Sequence, residues 1–255
     1  MSRGTPLWIG GLDNPQAGMR LFCFPAAGGG TLAYRDWSRQ LPSYVELRPI
    51  RLPGRETRIN EACFQEALPA ARALASGLRP YLDRPFAFFG HSMGALLAFE
   101  LARELRRRRG PTPFCLIVSG RHAPRIPLGR EFFHTLPDST FIDKLRTYYA
   151  GGTPKAMLQE GELMALFLPV IRADFAVTGA YVYSSEPPLD CPIHAFGGET
   201  EHEFSAADLD AWRAETTGSF SLELFPGGHF YLDEPSRPAL LRRISEVLES
   251  YRSAR

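Results

Sequence analysis

The pentapeptide Gly90-His91-Ser92-Met93-Gly94 constrains this chain more than any other segment. The apolar run Pro85-Phe86-Ala87-Phe88-Phe89 precedes it, and the helical pattern Ala95-Leu96-Leu97-Ala98-Phe99-Glu100-Leu101-Ala102 follows it. Gly-x-Ser-x-Gly in a strand-turn-helix context is a sharp turn that presents a serine above the end of a sheet. The serine occupies a strained backbone position, and the residues two places to either side are pressed together and must lack side chains. The helix behind Ser92 offers unpaired N–H groups and the positive end of its dipole to a developing oxyanion. Ser92 is therefore a candidate nucleophile. The plain structural alternative, a glycine-rich turn with an idle serine, is disfavoured by the flanking strand and helix patterns.

Short apolar runs alternate with helical patterns along the chain, which predicts an α/β fold with a parallel sheet covered by helices. Strands are expected near Leu21–Phe24, Val45–Ile50, Pro85–Phe89, Phe114–Ser119, Ile193–Phe196 and Ser221–Phe225. Helices are expected near Tyr34–Leu41, Cys63–Leu82, Gly94–Arg108, Ala206–Thr216 and Pro235–Tyr251. The run Arg106-Arg107-Arg108-Arg109 reads as the solvated last turn of the nucleophile helix. At 255 residues the chain can be one large α/β domain, 1–255, or two small ones, and its 44% apolar content is ordinary for a globular protein with a real core.

Composition excludes several classes of function. The 29 basic and 28 acidic residues leave a net charge of +1, which gives no support for nucleic-acid binding. Cys23, Cys63, Cys115 and Cys191 are scattered, and no Cys/His spacing suggests a metal. No signal peptide and no long apolar run stand out, so a cytoplasmic protein without a membrane partner is expected.

The alternation breaks over residues 123–188, where the pattern is helical without strands. Phe141, Leu145 and Tyr148 share one helical face, and Leu163, Phe167, Val170 and Asp174 roughly share another, with Pro169 expected to kink that helix. Gly151-Gly152-Thr153-Pro154 separates the two. An insertion of this length between core strands reads as a helical lid over the site, with extra packing on the sheet edge as the alternative.

A serine hydroxyl needs a base. Of the six histidines, His229 follows a strand and the turn Pro226-Gly227-Gly228 late in the chain, where hydrolases of this topology carry their base. His202 is its main competitor, and His194 falls inside an expected core strand. The base in turn needs a carboxylate. The end of the strand after the nucleophile, Ser119-Gly120-Arg121-His122, has none. The end of the next core strand, Gly197-Gly198-Glu199-Thr200-Glu201-His202-Glu203, has Glu199, Glu201 and Glu203, with Asp208 beyond, and spacing does not choose among them. A second oxyanion donor fits the small-residue loop Phe24-Pro25-Ala26-Ala27-Gly28-Gly29-Gly30, whose backbone can approach a substrate carbonyl. Its glycine spacing matches no nucleotide-binding fingerprint.

Taken together these segments resemble the type II (editing) thioesterases of polyketide and nonribosomal peptide biosynthesis, members of the α/β-hydrolase superfamily. The pieces span most of the chain: Phe24–Gly29, Leu52-Pro53-Gly54-Arg55-Glu56, Gly90–Gly94, Leu136-Pro137-Asp138, Gly151–Pro154, Leu168-Pro169-Val170-Ile171-Arg172-Ala173-Asp174-Phe175 and Phe225-Pro226-Gly227-Gly228-His229-Phe230. The Arg-Ala-Asp-Phe and Pro-Gly-Gly-His-Phe segments are far more specific than Gly-His-Ser-Met-Gly. The resemblance implies an α/β-hydrolase fold with a mostly parallel sheet and an inserted helical lid. It implies a serine thioesterase that frees stalled acyl groups from the phosphopantetheine arm of an acyl or peptidyl carrier protein, with no metal or other cofactor. By motif it makes Ser92 the nucleophile, His229 the base, and Ala27 and Met93 the oxyanion donors. The family's acid loop usually reads Gly-Gly-x-x-Asp. Here that position is Glu201, a departure that leaves Glu199 as second choice. The lid's Phe141, Leu145, Tyr148, Leu163 and Phe167 are candidate pocket residues. Arg55, Arg58 and Arg125 are candidate contacts for an acidic carrier protein. Two other readings are a stand-alone hydrolase of short or medium-chain acyl-CoA or esters, and a catalytically inactive binding subunit on the same fold.

Overall fold

The structure, a computed structural model, describes residues 7–127, 133–148, 161–233 and 235–253. Within them six strands form one parallel sheet: β1 (Met19–Phe24), β2 (Val45–Pro49), β3 (Phe86–His91), β4 (Leu116–Ser119), β5 (Ile193–Gly198) and β6 (Phe220–Phe225). The helices are α1 (Ala67–Leu78), α2 (Met93–Arg107), α3 (Asp138–Tyr148), α4 (Gly161–Gly179), α5 (Ala206–Asp210) and α6 (Arg237–Ser253). The strand order is β2-β1-β3-β4-β5-β6.

Apolar residues on successive strand positions make this sheet, because strand side chains alternate between two faces that are both covered. Phe22 and Phe24 of β1 and Phe86 and Phe88 of β3 join one core with α1 and α2. Leu21, Cys23, Ala87 and Phe89 join the other, under Trp37 and the Leu240, Leu241, Ile244, Val247 and Leu248 stripe of α6. From β1 the chain passes to β2 on one side and then to β3 on the other. That reversal opens a crevice at the carboxyl ends of β1 and β3, which is where ligands bind in open α/β sheets. The loop after β1 and the turn after β3 are the two segments already singled out for chemistry.

Every expected strand is present. Of the expected helices, α2 and α6 have the expected length and the other three are shorter than their patterns suggest. Tyr34–Leu41 is two 3-10 turns, Thr31–Tyr34 and Trp37–Arg39. Tyr34 closes the first turn and Trp37 opens the second; both are buried, and their rings pack edge-on at 4.9 Å. Tyr34 further donates its hydroxyl to the Phe24 carbonyl at 2.8 Å. The Cys63–Leu82 pattern forms α1 and a 3-10 turn around Pro80. The Ala206–Thr216 pattern forms α5, opened by a Ser205–Asp208 capping box, and the 3-10 turn Ala211–Glu215.

Between β4 and β5 the described residues contain α3 and α4 and no strand. Helix α4 runs continuously through Pro169. The Gly151–Pro154 separator lies outside the described residues, as do the side chains of Tyr148 and Leu163. The arginines at the end of α2 are not simply solvated. Arg106 donates to the carbonyls of Pro187 and Pro188 and pairs with Glu186, while Arg107 and Arg108 pair with Glu104.

Candidate active site

Ser92 lies at the turn between β3 and α2 with φ 54° and ψ −115°, a conformation that costs a non-glycine residue about 1–3 kcal/mol. Packing over-determines it. A Cβ on Gly90 would run into the Gly94 backbone, and one on Gly94 into the Phe24 carbonyl of β1. The Ser92 N–H donates to the Ser119 carbonyl at 2.8 Å, tying the turn to β4. Met93 opens α2, so its N–H is one of the first-turn donors with no acceptor inside the helix.

His229 follows β6, and its Nδ1–H donates to Glu201 Oε2 at 2.7 Å. The two side chains are only 8% and 5% exposed. The other oxygen of Glu201 accepts the N–H groups of His202 (2.9 Å) and Glu203 (3.0 Å). These bonds accommodate the longer side chain: the loop curls so that its own amides grip one carboxylate oxygen while the other reaches the imidazole. Glu199 and His202 are exposed, so neither alternative is built into this arrangement. With Nδ1 held by Glu201, Nε2 is the ring nitrogen left to act on a substrate.

Ser92, His229 and Ala27 line one cavity of about 470 Å³. Its walls include Phe133 ahead of α3, Phe175 and Thr178 of α4, and Tyr181 and Tyr183 just beyond α4. The two tyrosines are fixed by hydroxyl bonds to Glu100 (2.7 Å) and Glu215 (3.0 Å). This corrects the expected pocket. Phe141, Leu145 and Phe167 do not line the cavity; Phe141 and Leu145 are buried in the core. Phe141 packs edge-on against Phe175 at 5.7 Å and supports the wall from behind.

Arg55 and Arg58 are not surface contacts either. Both are buried: Arg55 is paired with Asp174, and Arg58 is paired with Glu61 and stacked over Trp8. Arg125 is partly exposed, lines the cavity and pairs with Glu215 at 2.7 Å.

Ser119, at the strand end that lacks a carboxylate, joins two buried groups. Its Oγ bonds His91 Nδ1 at 2.9 Å and the Tyr231 hydroxyl at 2.5 Å. The His91 ring lies 5.1 Å from the His229 ring. Burial and then the nearby His229 push the His91 pKa well below the usual imidazole value, so His91 stays neutral beside the catalytic candidate. Burial likewise pushes the Tyr231 hydroxyl up.

A family model for the thioesterase domain matches residues 19–248. The gramicidin S biosynthesis protein GrsT of Aneurinibacillus migulanus is 45% identical, over 87% of this chain and 86% of its own length. The chain belongs to the thioesterase family. The thioesterase is also similar to solved structures. RedJ, the thioesterase from the prodiginine biosynthetic pathway in Streptomyces coelicolor, is 40% identical with a TM-score of 0.85, over 92% of this chain and 87% of its own. The type II thioesterase BorB from the borrelidin biosynthetic cluster is 33% identical with a TM-score of 0.83, over 96% and 97%. The thioesterase thus has the α/β-hydrolase fold and is a thioester hydrolase. None of its described helices is long and apolar enough to cross a membrane, and the described residues contain no cluster of three metal-ligating side chains.

Proposed function

We propose that this thioesterase hydrolyses acyl groups held as thioesters on the phosphopantetheine arm of an acyl or peptidyl carrier protein, as an editing partner of a polyketide or nonribosomal peptide synthase. The observation that carries this reading is the 2.7 Å His229–Glu201 bond, with His229 and Ser92 lining one cavity whose walls include Phe133, Phe175, Tyr181 and Tyr183. In the mechanism we infer, His229 Nε2 takes the Ser92 proton as Oγ attacks the thioester carbonyl. The oxyanion is held by the Ala27 and Met93 N–H groups. The C–S bond breaks, the thiol leaves with the proton from His229, and an acyl-serine remains. Water, deprotonated by His229, then releases the acid and restores Ser92. Glu201 holds the imidazole tautomer and stabilises the imidazolium. These steps use the chain's own groups and water, without a cofactor.

We read residues 123–188 as a lid within a single α/β-hydrolase domain. The placement of Phe133, Phe175 and Thr178 on the cavity wall supports this. All four cysteines are free thiols, in keeping with a reducing cytoplasm. The carrier-protein reading is tested by comparing kcat/KM for propionyl-carrier protein with that for propionyl-pantetheine. A preference of about 10-fold or more for the carrier-bound substrate is expected. Equal values would leave a general acyl-thioester hydrolase.

A further inference from the structure

Asp174 lies on α4, in the inserted segment, and Arg55 lies on the loop beyond β2. Their side chains are 3% and 6% exposed. Arg55 forks onto the carboxylate, Nη2 to Oδ1 at 2.7 Å and Nη1 to Oδ2 at 2.8 Å. Asp174 Oδ2 also accepts the Gly28 N–H at 2.8 Å, and Arg55 Nη1 also donates to the Gly29 carbonyl at 2.7 Å. The next residue, Glu56, accepts the Thr31 N–H at 2.6 Å and the Thr31 hydroxyl at 2.9 Å. The loop that carries Ala27 is therefore gripped at residues 28, 29 and 31, by one side chain from α4 and two from the 55–56 segment. Glu56 does this at φ 53°, a left-handed conformation that a glutamate adopts only under constraint.

A buried ion pair is a poor means of stabilising a fold, since apolar side chains of similar volume do as well or better. Here both charged groups spend hydrogen bonds on the backbone immediately after Ala27. We propose that Asp174 and Arg55 are positioning residues for the oxyanion hole: they set the backbone around the Ala27 N–H, so that donor is aligned only while α4 is docked. This rests on the assignment of Ser92 as nucleophile and Ala27 as oxyanion donor. Neither Arg55 nor Asp174 lines the cavity that Ser92 opens into, so both act through the loop.

The test compares the full chain with the double variant Arg55→Met/Asp174→Leu, which replaces the ion pair by an apolar pair and leaves Gly28 N–H without its carboxylate. Thermal midpoint, kcat and KM are measured. So are the affinities for a trifluoromethyl ketone analogue, which forms a serine-bound oxyanion, and for a non-hydrolysable thioether analogue, which does not. The expected result is a folded protein with kcat reduced about 10- to 100-fold and KM within about two-fold. Trifluoromethyl ketone affinity falls by a similar factor, and thioether affinity is unchanged. A folded double variant with wild-type kcat and ketone affinity overturns the proposal. So does a loss shared equally by the thioether, which marks a structural tie alone. If the double variant does not fold, Asp174→Asn carries the test, because its amide oxygen can still accept from Gly28 while the charged fork is lost. A lower kcat at constant KM is expected there, and wild-type kcat overturns the proposal. Wild-type enzyme that forms no ketone adduct would instead overturn the Ser92 and Ala27 assignments themselves.

Discussion

At the scale of single residues, the acid tests how far local chemistry was readable. Ser92 and His229 stand out because a strained turn and a loop after the last strand leave few residue types able to do the work. The acid does not, because Glu199, Glu201 and Glu203 share one loop and one chemistry. Only the folded loop separates them, by gripping Glu201 with two backbone amides and the His229 ring and leaving Glu199 exposed. Glu201→Gln is therefore expected to lower kcat about 100-fold or more, since the amide can present the wrong group to Nδ1 and cannot stabilise the imidazolium. Glu199→Gln is expected to stay within about two-fold. Steady-state kinetics on one thioester decides the order, and a reversed order would move the acid to Glu199.

At the scale of elements, the strands were legible because their faces alternate into two cores. The insertion was legible as helices, but its contacts were not. Asp174 reads as one more position on a helical face. Its partner Arg55 reads as a surface cation, because a buried fork joining residues 119 positions apart leaves no local trace. The pocket was misplaced for a related reason: helical spacing tells which residues share a face, not which face meets the cavity. Thr178 of α4 lines that cavity, so Thr178→Trp is expected to fill it. It should lower kcat/KM for octanoyl relative to acetyl thioesters by about 10-fold or more, and an unchanged ratio would place the acyl chain elsewhere.

His194 on β5 illustrates a histidine correctly read as part of the fold. Its ring bonds the Ser221 and Tyr251 hydroxyls at 2.7 and 3.0 Å, and burial, then Arg243, lower its pKa from 6.5 to about 4. The unfolded chain binds this proton first on acidification. Stability from neutral His194 is thus complete above pH 6.5 and is lost as pH falls toward 4, by about 3 kcal/mol in all. Denaturant unfolding of wild type and His194→Gln across this range should show a shallower pH dependence in the variant. Parallel curves would contradict the assignment.

At the scale of the molecule, strand order places the chemistry. The strand order reverses between β1 and β3, so the Gly-rich loop and the serine turn meet at one crevice, and the β5 and β6 loops bring Glu201 and His229 to the same end of the sheet. Phe175 and Thr178 of α4, in the inserted segment, line the cavity at that end. The most direct test is release of a propionyl group from a holo carrier protein by wild-type enzyme and by Ser92→Ala. The account predicts rapid release by wild type and a loss of about three orders of magnitude or more in the variant. Release by Ser92→Ala at close to the wild-type rate would contradict it.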